Sequence, residues 1–191
     1  MSLAPWRSPL NHALESNPHS TARYLQLATV QANNRPANRT VVFRGFYADT
    51  DQLKFVIDAR SQKVKEISYQ PWAEACWYFL ETRNQFRLSG SLTLVTADHL
   101  DSVLQQARQT TWQELSDATR IQYTWPDPGK PIDAASLERS LPNPLVPLPH
   151  FCLLLLEPVQ VDHLELRGEP QKRLLYCRHS DQSWSTQAIN P

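Results

Sequence analysis

The chain has 191 residues, 41% of them hydrophobic, with 19 basic and 19 acidic side chains and a formal net charge of zero. This length suits one domain, residues 1–191, with a core of useful size. The balanced charge argues against a nucleic-acid partner, which usually demands a basic excess, and no apolar run is long enough to span a bilayer.

The opening residues lack the charged, apolar and small-residue regions of a signal peptide, so a cytoplasmic setting is expected. The three cysteines, Cys76, Cys152 and Cys177, are odd in number and far apart. Cys76 and Cys152 fall in apolar strand-like runs and read as buried free thiols. There is no Cys-x-x-Cys pair and the histidines are scattered, so no metal site is expected. Only four glycines occur, at 45, 90, 129 and 168. They are too dispersed for a dinucleotide fingerprint or a P-loop. A phosphate would have to be held by cationic side chains and a helix N-terminus instead.

In chain order, a short helix is predicted over residues 11–16, with Pro9 before it and Pro18 after it. Residues 24–32 alternate as a strand, and 33–36 form a turn. Two β-rich runs follow, 40–46 and 53–58, joined by a turn-forming Ala-Asp-Thr-Asp segment. Ser61 reads as an N-cap, opening a short helix with Val64 and Ile67 inward and its end near Pro71. Residues 73–80 form an aromatic-rich buried strand. Residues 85–96 keep period two, with Phe86, Leu88, Leu92 and Leu94 on one face and Gln85, Arg87 and Ser89 on the other; Gly90 marks a bend. A helix is predicted over 97–113, with Leu100, Val103, Leu104 and Ala107 inward, and a second over 117–123. Residues 125–149 are a proline-rich connection whose length suggests function. Residues 151–164 read as a central strand, and 173–178 with 183–188 as a closing hairpin. Many strands, few helices and no βαβ rhythm favour an antiparallel β-barrel with peripheral helices.

Basic residues gather at the joints of the 38–63 stretch: Arg39, Arg44, Arg60 and Lys63. They form either a phosphate clamp beside the helix start at Ser61 or a set of solvated strand-end charges, and spacing alone does not separate the two. Arg39 and Arg44 are five apart, so an unbent strand would aim them at opposite faces. Gln85 and Arg87 share the polar face of their strand, which serves a ring edge with mixed donors and acceptors or simply meets solvent. Trp112, Tyr123 and Trp125 either stack on a planar ligand or partner, or pack a helix pair. Asp58 and Glu74 read as structural carboxylates. No Gly-x-Ser-x-Gly is present, so hydrolase chemistry has little support.

Three motifs in order carry a resemblance: RTVVFR at 39–44, FVIDARSQK at 55–63 and QFRLSG at 85–90, followed by the 158–167 segment and Arg173. Together they resemble the pyridoxamine 5′-phosphate oxidase-like, FMN-binding split-barrel family. The match looks closest to a cyanobacterial and plant branch with the insert seen here at Trp112–Ser116 and Tyr123–Gly129. The resemblance implies a split β-barrel, an FMN cofactor and a homodimer with FMN between subunits. It also implies a small-molecule substrate, pyridoxamine or pyridoxine 5′-phosphate or a relative of them, oxidised with O2. By the same carry-over, Arg39 and Lys63 hold the FMN phosphate with Ser61 beside them, and Arg60 makes up for a second helix-start cation replaced by Gln62. Thr40, Val41, Val42, Val56 and Ile57 lie along the flavin, Gln85 meets its ring, and Arg173 is a late FMN-contacting arginine. Arg44 stands where a lysine lies between flavin and substrate, and is the candidate for catalytic electrostatics. Two departures bear on substrate: Leu164 replaces a tryptophan near the flavin, and the Arg-x-His pair that grips the vitamin substrate is absent from 167–173. A non-catalytic FMN carrier or sensor on the same fold is the alternative, and a barrel without cofactor is a third.

Overall fold

The computed structural model describes residues 3–131 and 140–191. The elements are α1 (Arg7–Glu15), β1 (Tyr24–Val30), β2 (Pro36–Val42), β3 (Leu53–Asp58), α2 (Gln62–Tyr69), β4 (Trp72–Phe79), β5 (Asn84–Val95), α3 (Ser102–Glu114), α4 (Asp117–Arg120), β6 (Phe151–Glu165), β7 (Lys172–Arg178) and β8 (Trp184–Ile189). Short 3-10 turns occupy Ser20–Arg23 and Ile121–Thr124. The middle of the proline-rich connection, residues 132–139, lies outside the described residues.

Strand pairing is antiparallel throughout, in the order β2-β1-β4-β5-β6-β7-β8, with β3 added to β6. The long strand β6 is the hub. One edge pairs with β5 along its length; the other pairs first with β3, at Phe151–Leu156, and then with β7, at 160–165. The sheet curls shut where the chain beyond β2 meets β3. The Arg44 N–H donates to the Lys54 carbonyl at 2.9 Å, the Lys54 N–H to the Gly45 carbonyl at 2.8 Å, and Phe46 bridges Leu53. The result is the mainly β, antiparallel split barrel that the sequence led us to expect.

Alternation fills the barrel. Leu25, Leu27, Phe55, Ala75, Trp77, Phe86, Leu88, Leu154 and Leu156 are fully buried, each large apolar side chain contributing about 1.5–3 kcal/mol. α1 seals one end with Trp6, Leu10 and Ala13. Gly90 sits at a bulge in the β5–β6 register. A Cβ there would lie 2.0 Å from the Glu157 carbonyl oxygen, so only glycine lets the two backbones approach.

The structure corrects several sequence expectations. α1 begins at Arg7, not at residue 11, because Pro9 sits in its first turn, where the missing N–H costs nothing. The strand expected over 40–46 is shifted back to Pro36–Val42. Gly45, at φ +98°, turns the chain out of the ladder. α3 starts at Ser102 because Asp101 caps it, accepting from the N–H groups of Val103 and Leu104. That start rotates Leu104, Ala107, Arg108, Thr111 and Trp112 inward and leaves Leu100 and Val103 exposed. The second expected helix is α for one turn and 3-10 thereafter. Cys152 is buried as expected, whereas Cys76 is only half-buried.

Candidate functional site

β2 and β3 form one wall of a cleft of about 340 Å³. Arg39, Thr40, Val41 and Val42 line it from β2, Val56, Ile57 and Asp58 from β3, Lys63 from α2, and Arg44 from the turn after β2. Opposite stand Thr119, Gln122, Tyr123, Trp125 and Pro128. The five-residue spacing of Arg39 and Arg44 is no obstacle. β2 ends at Val42 and the chain bends at Gly45, so both arginines line the same cleft.

Arg39 is held from three sides. Its guanidinium donates to the Leu27 carbonyl at 3.1 Å, to Thr29 Oγ1 at 2.5 Å and to Glu66 Oε2 at 2.6 Å. Glu66 is buried on α2 and also accepts from Thr29 at 2.6 Å. Lys63 Nζ lies 3.2 Å from Ser61 Oγ. Burial, and then the charge of Arg39, lower the Lys63 pKa from its ordinary value. Two cations crowd together here in partial burial, a state that an arriving anion relieves. Ser61 occupies the N-cap position, but its hydroxyl donates to the Asp58 carbonyl at 2.6 Å and caps nothing. The first turn of α2 therefore has no side-chain cap and offers N–H groups and dipole to an anion. At the other end, Arg44 Nε is buried without a hydrogen-bond partner among the described residues. Tyr123 is 7% exposed, and burial pushes its phenol well above its ordinary pKa, so it stays neutral.

Four other residues expected near the site do not line this cleft. Arg60 turns away from the cleft lining and spends its donors on Asp58, Asp127 and two carbonyls. Gln85, Leu164 and Arg173 lie in one register row across β5, β6 and β7, and none of them lines the cleft. Arg173 is paired with Asp162 at 2.9 and 2.7 Å. Trp112 is core, fully buried against Tyr123 and Phe151. Glu74 binds Arg87 at 2.8 Å and Ser89 at 2.8 Å, a structural role as expected. Sequence reasoning missed Glu66, which sits one helical turn beyond Lys63, a spacing that signals a charge partner. Among the described residues no group of His, Cys, Asp and Glu could hold a metal. A larger cavity, of about 640 Å³ between 49–52 and 178–184, has its arginine already paired, Arg178 with Glu157 at 2.6 Å.

Residues 3–96 match the family described as "Pyridoxamine 5′-phosphate oxidase, FMN-binding domain". A relative from Arabidopsis thaliana, "Pyridoxine/pyridoxamine 5′-phosphate oxidase 2", is 38% identical over 99% of this chain and 98% of its own length. The chain belongs to the pyridoxamine 5′-phosphate oxidase-like, FMN-binding family. A crystal structure of a pyridoxamine 5′-phosphate oxidase-related, FMN-binding protein from Nostoc punctiforme shares 61% identity over the whole of both chains, with a TM-score of 0.97. PhzG from Burkholderia lata, solved with tetrahydrophenazine-1-carboxylic acid, shares the fold at 20% identity over 97% of this chain and 89% of its own, with a TM-score of 0.74.

The cofactor of this family is FMN, and the cleft fits it. Arg39, Lys63 and the uncapped α2 terminus supply donors of the right charge for a phosphate. Val41, Val42, Val56 and Ile57 give the cleft an apolar wall, and Arg44 also lines it.

Proposed function

We propose that this chain is an FMN-dependent oxidoreductase that acts as a homodimer on a small anionic substrate. Pyridoxamine and pyridoxine 5′-phosphate are the first candidates, because relatives carry those names. The observation that carries the reading is the convergence of Arg39, Lys63 and Arg44 on one cleft. Arg39 and Lys63 neutralise the cofactor phosphate, and Glu66 keeps the Arg39 fork aimed. Arg44 lines the cleft and brings a positive charge to substrate or to charge that builds on the ring. The neutral Tyr123 helps close the cleft and keeps its phenolic hydrogen, which can serve as a hydrogen-bond donor. Held by Arg39 and Lys63, FMN would supply the two-electron redox chemistry.

The row Gln85–Leu164–Arg173 supports the dimer. These residues lie outside their own chain's cleft, and a second copy is the means of bringing them to a flavin. We read the whole chain as one domain at work in the cytoplasm; among the described residues no helix is long and apolar enough to cross a membrane.

The test is incubation of FMN-loaded protein with pyridoxamine 5′-phosphate and O2, following pyridoxal 5′-phosphate and hydrogen peroxide. Stoichiometric release of both supports the oxidase. A second reading, a flavin carrier without turnover, is favoured by one observation. Residues 168–172 hold no Arg-x-His pair, and the neighbouring Arg167 donates to the Glu81 carbonyl. Tight FMN binding with no product would select it.

A further inference from the structure

The wall of the cleft opposite β2 and β3 is anchored in the core at Tyr123, which packs on Trp112 and Phe151, and then runs out as an exposed strap. From Trp125 to Pro131 every residue is exposed, and the α4 and 3-10 turns before it are short. Several of its ties converge on one side chain. Arg60 Nε donates to both oxygens of Asp58, at 3.0 and 3.2 Å, and Nη2 donates to Asp58 Oδ2 at 2.6 Å. The rest of the fork reaches across. Nη1 meets the Trp125 carbonyl at 3.1 Å and Asp127 Oδ1 at 3.1 Å, and Nη2 meets the Tyr123 carbonyl at 3.3 Å. Three alternate residues of the strap, 123, 125 and 127, are thus bound by one guanidinium. His150 Nε2 reinforces the first of them, 2.5 Å from the Tyr123 carbonyl, while the Ala59 N–H donates to the His150 carbonyl at 2.8 Å.

Asp58 makes the arrangement rigid. Its carboxylate also accepts the Arg60 backbone N–H at 2.8 Å, so the arginine is fixed at its root and its head. Burial opposes the charge on Asp58, but the side-chain and backbone hydrogen bonds from Arg60 outweigh it and hold the pKa below its ordinary value. Only a planar fork serves a carboxylate on one edge and several oxygens on the other; a lysine presents a single point.

We propose that Arg60 is a positioning residue that latches residues 123–128 over the cleft, and that this latch sets the rate at which the cofactor site exchanges with solvent. The proposal rests on reading the cleft as the FMN site. It departs from the expectation that Arg60 is itself a phosphate ligand, and the two roles have different kinetic signatures. Loss of a ligand speeds FMN dissociation alone. Loss of a latch speeds entry and exit together and leaves the equilibrium nearly where it was.

The experiment compares the wild-type chain with Arg60→Ala and Asp127→Ala. Amide hydrogen exchange is measured without FMN, and FMN association and dissociation are followed by flavin fluorescence. Asp127 is 55% exposed, so its loss removes one tie without threatening the fold. If Arg60→Ala does not fold, Asp127→Ala decides alone. The expected result is exchange about tenfold faster in 121–128 with β5 and β6 unchanged, and both FMN rates raised about tenfold with Kd within about threefold. Asp127→Ala should move the same quantities in the same direction by less. Wild-type exchange in the strap of both variants overturns the latch, as does a Kd rise above about thirtyfold through dissociation alone. A wild-type protein that takes up no FMN defeats the cofactor reading, and the exchange measurement still judges the latch.

Discussion

Arg39 on β2 and Glu66 on α2 meet at 2.6 Å, the carboxylate 4% and the guanidinium 22% exposed. This pair joins the sheet to the helix whose first turn faces the cleft. Arg39→Ala would strand a buried carboxylate and is expected to cost about 3 kcal/mol of stability. It would also weaken FMN binding by one to two orders of magnitude, on the order of a lost charge-assisted hydrogen bond. Arg39→Lys keeps the charge, so its stability should recover more than its FMN affinity. Denaturant melts and flavin titrations check both halves.

Lys63 gives a pH prediction. Its pKa in the folded protein lies below the ordinary 10.5, from burial first and Arg39 second. The unfolded chain thus holds the proton more tightly, and stability of the FMN-free protein should rise as pH climbs through the folded value toward 10.5. FMN binding runs the other way. The phosphate prefers charged Lys63, so affinity should fall over the same alkaline window, with proton uptake on binding. Titration calorimetry in buffers of different ionisation enthalpy measures that uptake, and Lys63→Met should abolish it.

Asp58 supplies the acid counterpart. Its folded pKa is lowered below 3.8 because the Arg60 hydrogen bonds prevail over burial. The stability it contributes is present above 3.8 and is lost as pH falls through the folded value. Asp58→Asn should flatten the acid limb of a melting-temperature profile between pH 5 and 2, roughly the window in which buried carboxylates titrate.

Gly90→Ala is expected to be severe. Its new methyl would stand 2.0 Å from a backbone oxygen that cannot rotate away. The strain should exceed about 3 kcal/mol, the upper range for overpacking. Low soluble yield or a large fall in melting temperature is the expected outcome, whereas Gly129→Ala, with open space around it, should be far milder despite its positive φ.

The sheet was legible because β5 keeps a period of two and β6 opens as an unbroken apolar run, and one wall of the cleft because its residues come from the short span 39–63. Helix α3 was misplaced by a turn because Asp101, not the apolar pattern, decides where it starts. The tie of Arg60 to Asp127 was not legible because the two are 67 residues apart in sequence, although its other partner, Asp58, is two residues away. No local pattern announces a contact of that range. Gln85 and Arg173 were found by resemblance, and their distance from the single-chain cleft became visible only through the strand register.

Strand β6 changes neighbours half-way along, and that has an evolutionary consequence. The ladder of the terminal β7–β8 hairpin meets β6 at residues 160–165, while β3, in the cleft wall, pairs with Phe151–Leu156. The two share a backbone but no ladder, so the hairpin can change its sequence without disturbing the register of the cleft wall.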